Sequence, residues 1–241
     1  MGSGKTERER THCSALPIVF SLLVFLIGCG MLAYPSVSNW LSNRNQSELI
    51  TEYSNAVDNL DDTDAEQEIR KAEDYNHDLA DTVKLVDDPF VDDSGDKTEY
   101  NTLLNATDSG IMGYVEIPKI DVLLPIYHGV GSDILTKGIG HLPETSLPVG
   151  GESTHCVLAG HSGMSNARLF TDLTKLIECD EFIIHVYNRD LYYTVDQVKK
   201  VAPTDTTDLQ IVDGEDFVTL VTCVPVGVNS HRLLVRGTRT E

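Results

Sequence analysis

Apolar residues first gather between Ser14 and Tyr34, where Leu, Ile, Val and Phe dominate and no charged side chain interrupts. A stretch of that length suits a membrane-spanning helix of roughly 20 residues. Tyr34-Pro35 is expected to break it. From Leu41 to about Val86 the composition is helical, with Leu49, Ile50, Tyr53, Val57 and Leu60 as its apolar positions. Asp58 to Asp64 reads as an interruption, and a second helix is expected near Ala65 to Leu79. Together they predict a membrane-proximal helical hairpin. Val86 to Asp96 is acidic, carries Pro89 and Gly95 and has no period, so it reads as an exposed loop.

From Gly110 the apolar runs become short and β-like. Gly113–Ile117 stops at Pro118, and Val122–Tyr127 ends at His128-Gly129. Cys156–Gly160 precedes His161. Phe182–Tyr187 and Leu191–Val195 flank Asn188-Arg189-Asp190, a hairpin-like loop of three residues. Between these runs Leu169, Phe170, Leu173, Leu176 and Ile177 fall on one face of a helix. Phe217–Cys223 reads as a buried strand. After a turn through Pro225, Gly227 and Asn229, a further run begins at Arg232 and continues through Leu233-Leu234-Val235. Short strands separated by turns, with one or two helices, predict a mainly β fold closed into a small barrel.

Composition changes this picture in three ways. The 241 residues suffice for one domain plus appendages. The net charge of −20 is uneven, since Glu48 to Glu99 holds eighteen acids against four bases. That excludes a nucleic-acid partner, which needs a basic surface, and suggests a solvated acidic stalk. Lys5, Arg8 and Arg10 precede the apolar stretch, diluted by Glu7 and Glu9, so the positive side stays in the cytoplasm and the remainder lies outside. A cleaved signal peptide ending at Ser36-Val37-Ser38 is one rival, but the apolar stretch is long for it. A lipoprotein box at Leu26-Ile27-Gly28-Cys29 is another, but the apolar run continues past Cys29 through Met31, Leu32 and Ala33. An uncleaved anchor is the preferred reading.

Of five cysteines, Cys13 and Cys29 belong to the membrane end. The exported part holds Cys156, Cys179 and Cys223, an odd number, so at least one is unpaired within the chain. Cys156 reads as a small core residue. Nothing in the spacing supports a Cys156–Cys179 disulfide. The acidic loop lacks the ligand order of a calcium-binding hand, so no metal and no cofactor is assigned.

Cys223 is the cysteine with a chemical context. If its strand pairs with the run that starts at Arg232, thiol and guanidinium face each other, and the fixed cation favours the thiolate. Arg232 can stabilise an oxyanion but cannot shuttle protons, so the shuttle must be a histidine. His12 and His77 lie in the N-terminal appendages, and His185 is mid-strand. His231 adjoins Arg232, but alternation sends it to the opposite face. His128, His141, His155 and His161 remain, with His161 leading because it stands at a strand end between Gly160 and Ser162-Gly163.

Thr219-Leu220-Val221-Thr222-Cys223, with Arg232 nine residues after the cysteine and Gly160-His161 upstream, resembles the sortases, Gram-positive transpeptidases of surface proteins. The resemblance covers almost all of Gly110 to Thr238, including Gly140-His141-Leu142-Pro143 and Thr145–Pro148. It implies a closed eight-stranded sortase-type β-barrel with short helices. It places the catalytic roles on His161, Cys223 and Arg232. Thr222, beside the cysteine, reads equally as a substrate-site residue or as an ordinary strand residue. Asp88-Pro89-Phe90 is similar to the lid motif of the pilus-building class C sortases. There Asp88 would pair with Arg232 and Phe90 would cover Cys223.

The expected organisation is a cytoplasmic tail over 1–13, a single transmembrane anchor over 14–34 and a helical region over 35–86. A lid loop and linker over 87–109 and an extracellular catalytic barrel over 110–241 complete it. The implied substrates are pilins or surface proteins bearing LPXTG-like signals, with a pilin lysine or a cell-wall peptide amine as acceptor. The other readings are a housekeeping sortase, a non-catalytic membrane-tethered assembly module and, least, a papain-like protease, whose cysteine would precede its histidine. The sequence departs from the class C pattern at Val224-Pro225-Val226-Gly227 and at Cys179, where glycine is common. It also has no second apolar segment before Glu241, so either the sequence is truncated or this member has one anchor.

Overall fold

The structure, a computed structural model, describes residues 16–80, 88–90, 99–107, 109–164 and 167–240. The expected cytoplasmic tail, the end of the expected helical region and most of the acidic loop (residues 81–87 and 91–98) lie outside the described residues.

Helix α1 spans Leu16–Asp58 without a break, so Pro35 does not end it. A proline removes one N–H from the ladder. In an apolar stretch the remaining i→i−4 bonds are costly to lose, because nothing outside the helix can replace them. Among the described residues, the side chains from Val19 to Leu41 include the longest run of exposed apolar groups, and the helix is long and apolar enough to cross a membrane. Its far end is different. Gln46, Ile50, Tyr53 and Val57 are buried against the remainder of the protein. Tyr53 Oη–H donates to the Met112 carbonyl (3.1 Å) and accepts from the Tyr187 N–H (2.8 Å).

Helix α2, Asp62–Ala80, follows a short turn, as the interruption at Asp58 to Asp64 predicts. Asp61 Oδ1 accepts from the Thr63 N–H, and Asp62 and Asp64 occupy the positive end of the helix. Ala65, Ile69, Ala72, Asn76 and Leu79 form its buried stripe. Asn76 binds the Leu147 backbone reciprocally, donating to its carbonyl (3.1 Å) and accepting from its N–H (2.7 Å).

The body is a closed eight-stranded barrel, as expected. Its strands are β1 (Ile111–Ile117), β2 (Val122–His128), β3 (Ile139–His141), β4 (Thr154–Ala159), β5 (Glu181–Val186), β6 (Arg189–Val201), β7 (Asp216–Val224) and β8 (His231–Arg239). The order around the barrel is β1-β2-β3-β4-β7-β8-β6-β5, closed by β1 against β5. Only β2/β3 and β4/β7 are parallel. Strand β3 is too short to show a period in sequence. It packs so closely that a Cβ on Gly140 would lie 2.4 Å from the Gly129 carbonyl oxygen.

Two local expectations are corrected. The β5–β6 turn has two residues rather than three: Val186 pairs with Arg189 across Tyr187-Asn188, with Tyr187 at φ +50°. The helix expected over Leu169–Ile177 is only a 3-10 turn, Thr171–Lys175. Leu169, Phe170, Leu173 and Leu176 are buried as expected, but Ile177 is exposed, because so short a turn cannot bring it round to the same face.

Strand alternation divides the core between the two faces of the barrel wall. Cys156, Leu158, Val218, Leu220, Leu233 and Val235 join the larger cluster. Val157, Ala159, Val221 and Leu234 join a smaller one with Val130, Leu135, Leu142, Val201 and Leu209. Cys223 and Arg232 follow Val221 and Leu234 onto that second face.

Candidate active site

Cys223 and Arg232 are direct partners in the antiparallel β7/β8 ladder, as the pairing of the two runs predicts. His161 reaches the same place by a different route. It follows β4, which lies parallel to β7 on the other side, so both strands deliver their ends to one pole of the barrel. A set of hydrogen bonds fixes this junction. Gly160 N–H donates to the Val221 carbonyl (3.0 Å), and Phe170 N–H donates to that of His161 (3.1 Å). Thr222 Oγ1–H donates to the Gly160 carbonyl (2.7 Å), and Ser162 Oγ–H donates to that of Cys223 (2.6 Å). The Thr222 hydroxyl is therefore buried and engaged with backbone. Ser162 gives no sequence signal of its own; only the fold sets it against the Cys223 carbonyl.

Glycine is required on this route. A Cβ at Gly160 would sit 2.6 Å from the Phe170 ring. Gly163 has φ +71°, and a Cβ there would lie 2.1 Å from Val226 Cγ1, so the β4 exit and the β7–β8 loop interlock.

Asp88-Pro89-Phe90 lies over this pole. The Arg232 guanidinium binds Asp88 in a fork, Nε to Oδ1 at 2.9 Å and Nη2 to Oδ2 at 2.6 Å, with the pair largely buried. Asp88 Oδ1 also accepts from the Phe90 N–H (3.3 Å), which folds the segment into an Asx-type turn. The Phe90 ring stacks on the His161 ring at 5.8 Å, and Arg232 lies 5.0 Å over the same ring. Phe90 thus covers two of the three candidate catalytic side chains and packs against the smaller apolar cluster. Cys223 itself is 8% exposed.

Burial pushes the Cys223 thiol above its ordinary pKa; Arg232 opposes this, and Asp88 adds to it. Burial lowers the His161 imidazole. Arg232 is held still more firmly protonated by its bond to Asp88. With Asp88 in place, thiol and imidazole both favour their neutral forms.

The other candidate histidines end or lie within strands β2, β3 and β4 rather than in loops, and are structural. His141 Nε2–H donates to the Ser146 carbonyl (2.8 Å) and its Nδ1 meets the Tyr100 hydroxyl (2.9 Å); burial depresses it to about 3. His155 lies between the Gln210 carbonyl and Thr219 Oγ1 and is depressed to about 4, again by burial. His128 contacts the Leu103 and Gly110 carbonyls. Cys156 and Cys179 are free thiols, the first buried and the second exposed. Cys179 has φ +72°, which is the physical reason glycine suits that position. Among the described residues no group of three or more His, Cys, Asp or Glu side chains converges as a metal site would require.

Comparison with known proteins agrees with this geometry. The sortase domain family matches residues 115–240. Sortase C from Streptococcus pneumoniae is 42% identical, with a TM-score of 0.74 over 80% of this chain and 97% of its own. Sortase C-1 from Actinomyces oris is 43% identical, with a TM-score of 0.70 over 73% of this chain and 99% of its own. Sortase A from Bacillus anthracis is 26% identical over 220 residues, 91% of this chain and 92% of its own. A barrel of matching topology, the paired cysteine and arginine, and matches of this extent lead to one conclusion: the chain belongs to the sortase family and is a cysteine transpeptidase.

Proposed function

We propose that this transpeptidase cleaves an LPXTG-like sorting signal between Thr and Gly and joins the acyl product to a pilin lysine. The observation that carries the pilus-building reading is the Asp88-Pro89-Phe90 segment forked onto Arg232 and stacked on His161. The similarity to sortase C structures, one of them described in terms of pilin substrate specificity, supports it.

When the lid leaves, the Cys223 thiol gives its proton to His161, and the resulting thiolate attacks the Thr carbonyl carbon. Its oxygen becomes an oxyanion beside Arg232. The tetrahedral adduct collapses, the C–N bond breaks, and His161 as imidazolium gives its proton to the departing glycine amine. A thioester on Cys223 remains. Neutral His161 then takes a proton from the incoming lysine Nζ as that nitrogen attacks the thioester carbonyl. The new amide forms and the Cys223 sulfur leaves as thiolate. Thr222 acts on the substrate site by holding the β4 exit through the Gly160 carbonyl. The apolar part of α1 anchors the enzyme in the cell membrane, with the barrel outside.

The test is mass spectrometry of the thioacyl intermediate with a sorting-signal peptide, followed by addition of a pilin lysine or a cell-wall peptide amine. Resolution by the lysine supports pilus building. Resolution by the cell-wall amine alone would assign a housekeeping role. Absence of any adduct on Cys223, lid removed, would favour a non-catalytic module.

A further inference from the structure

The catalytic pole has a fixed relation to helix α1. Strands β4 and β7 both run toward the pole that holds His161 and Cys223. Strand β3 is antiparallel to β4, β2 is parallel to β3, and β1 is antiparallel to β2, so β1 also runs toward that pole. Helix α1 touches the barrel at two levels. Gln46 Nε2–H donates to the Lys137 carbonyl (3.2 Å), just before β3 begins. Tyr53 is bonded to Met112, at the start of β1 and away from the catalytic pole. The helix therefore runs away from the catalytic pole as it proceeds, and its N-terminal apolar length projects past that pole. The level of Gln46 is also the level of the site. Leu135, two residues before Lys137, shares an apolar cluster with Ala159 and Val221, against which Phe90 packs. Ile139, two residues after Lys137, reaches Gly160, the neighbour of His161.

We propose that α1 is a one-piece strut that holds the catalytic pole against the bilayer, with the opposite pole pointing away. This rests on the reading of the apolar part of α1 as a membrane anchor. No charged residue occurs between Arg10 and Arg44, and Trp40, an interfacial residue type, lies under the Arg44 guanidinium. If the hydrocarbon core takes the first 20 or so residues of α1, Gln46 stands about 17 Å above it; if it extends to Leu41, about 8 Å. Clamping at Gln46, Ile50, Tyr53 and Val57 leaves no flexible joint between the anchor and the site.

The experiment uses the full chain in phosphatidylcholine–phosphatidylglycerol vesicles containing a headgroup nitroxide lipid. In a C13S/C29S/C179S/C223A background, which leaves only the buried Cys156, a fluorophore is placed at Ser230→Cys, beside β8 at the catalytic pole, or at Asp213→Cys, before β7 at the other. The Ser230 label is expected to be quenched at least twofold more than the Asp213 label. Inserting about seven helix-forming residues after Asn43 lifts the barrel by about 10 Å and should bring the two signals within a factor of about 1.5. Equal quenching in the parent, or stronger quenching at Asp213, overturns the orientation. Failure of the chain to float with the vesicles overturns the anchor reading and this inference with it. Turnover of a soluble sorting-signal peptide by the parent enzyme reports on the proposed reaction alone, so the two can fail separately.

Discussion

Removing the Asp88 carboxylate should expose Cys223 to solution chemistry. In Asp88→Ala the two N–H···O bonds of the Arg232 fork are lost (2.9 and 2.6 Å), from side chains that are 11% and 17% exposed. Hydrogen bonds to charged groups contribute about 1.5–3 kcal/mol net. The lower figure alone moves a closed–open equilibrium about tenfold, and the upper about 150-fold. A thiol reagent that acts only on the open form reports the open population when closing is fast. Alkylation of Cys223 should therefore accelerate by about 10- to 150-fold, measured by intact-mass kinetics in excess iodoacetamide. The pH dependence gives a second readout. Asp88 and burial raise the thiol while Arg232 lowers it, so loss of Asp88 shifts the alkylation midpoint to lower pH. Asp88→Asn, which keeps neutral hydrogen bonding, should fall between parent and alanine. An unchanged rate and an unchanged midpoint in Asp88→Ala would refute the reasoning.

Phe90→Ala should also speed alkylation, by less, because a cation–π contact contributes about 0.5–2 kcal/mol; no acceleration would remove the ring from the lid's hold. Cys223→Ala should leave no thioacyl adduct by mass spectrometry. Arg232→Ala should speed alkylation as the lid is freed, yet cut transpeptidation by about 10²–10³; alkylation and turnover moving together would separate Arg232 from oxyanion stabilisation. Gly160→Ala places a methyl 2.6 Å from the Phe170 ring and should cost about 1–3 kcal/mol, read as a lower Tm in thermal unfolding.

Much of the barrel was legible because its strands are punctuated by Pro and Gly and end where the side chains that matter begin. Cys223 and Arg232 could be paired from sequence since nine residues leave room for two strand ends and one turn. The candidate histidine could be ranked but not settled that way. His128, His141, His155 and His161 all stand beside glycines or at strand ends. Only packing shows the first three spent on internal carbonyls and hydroxyls, with His161 left half-buried under Phe90. Pro35 misled for a related reason: propensity speaks for the isolated helix, whereas continuity here is set by an apolar stretch that favours keeping its ladder closed. Strand β3 was invisible because three residues contain no periodicity, and the Ser162 bond to Cys223 because it joins residues sixty-one positions apart.

The lid is joined to its own target on both sides, after α2 pinned at Leu147 by Asn76 and before Tyr100 clasped by His141 and Gly129. Its contact with Arg232 and His161 is therefore unimolecular, with an effective local concentration in the millimolar range expected of short tethers. A fork and one ring, too weak to hold a free tripeptide at cellular levels, suffice when the chain itself supplies the concentration. On the proposed reading a sorting signal must outcompete that tether, so the lid would act as a threshold: a substrate engages only when it is presented at comparable local concentration or with added contacts of its own.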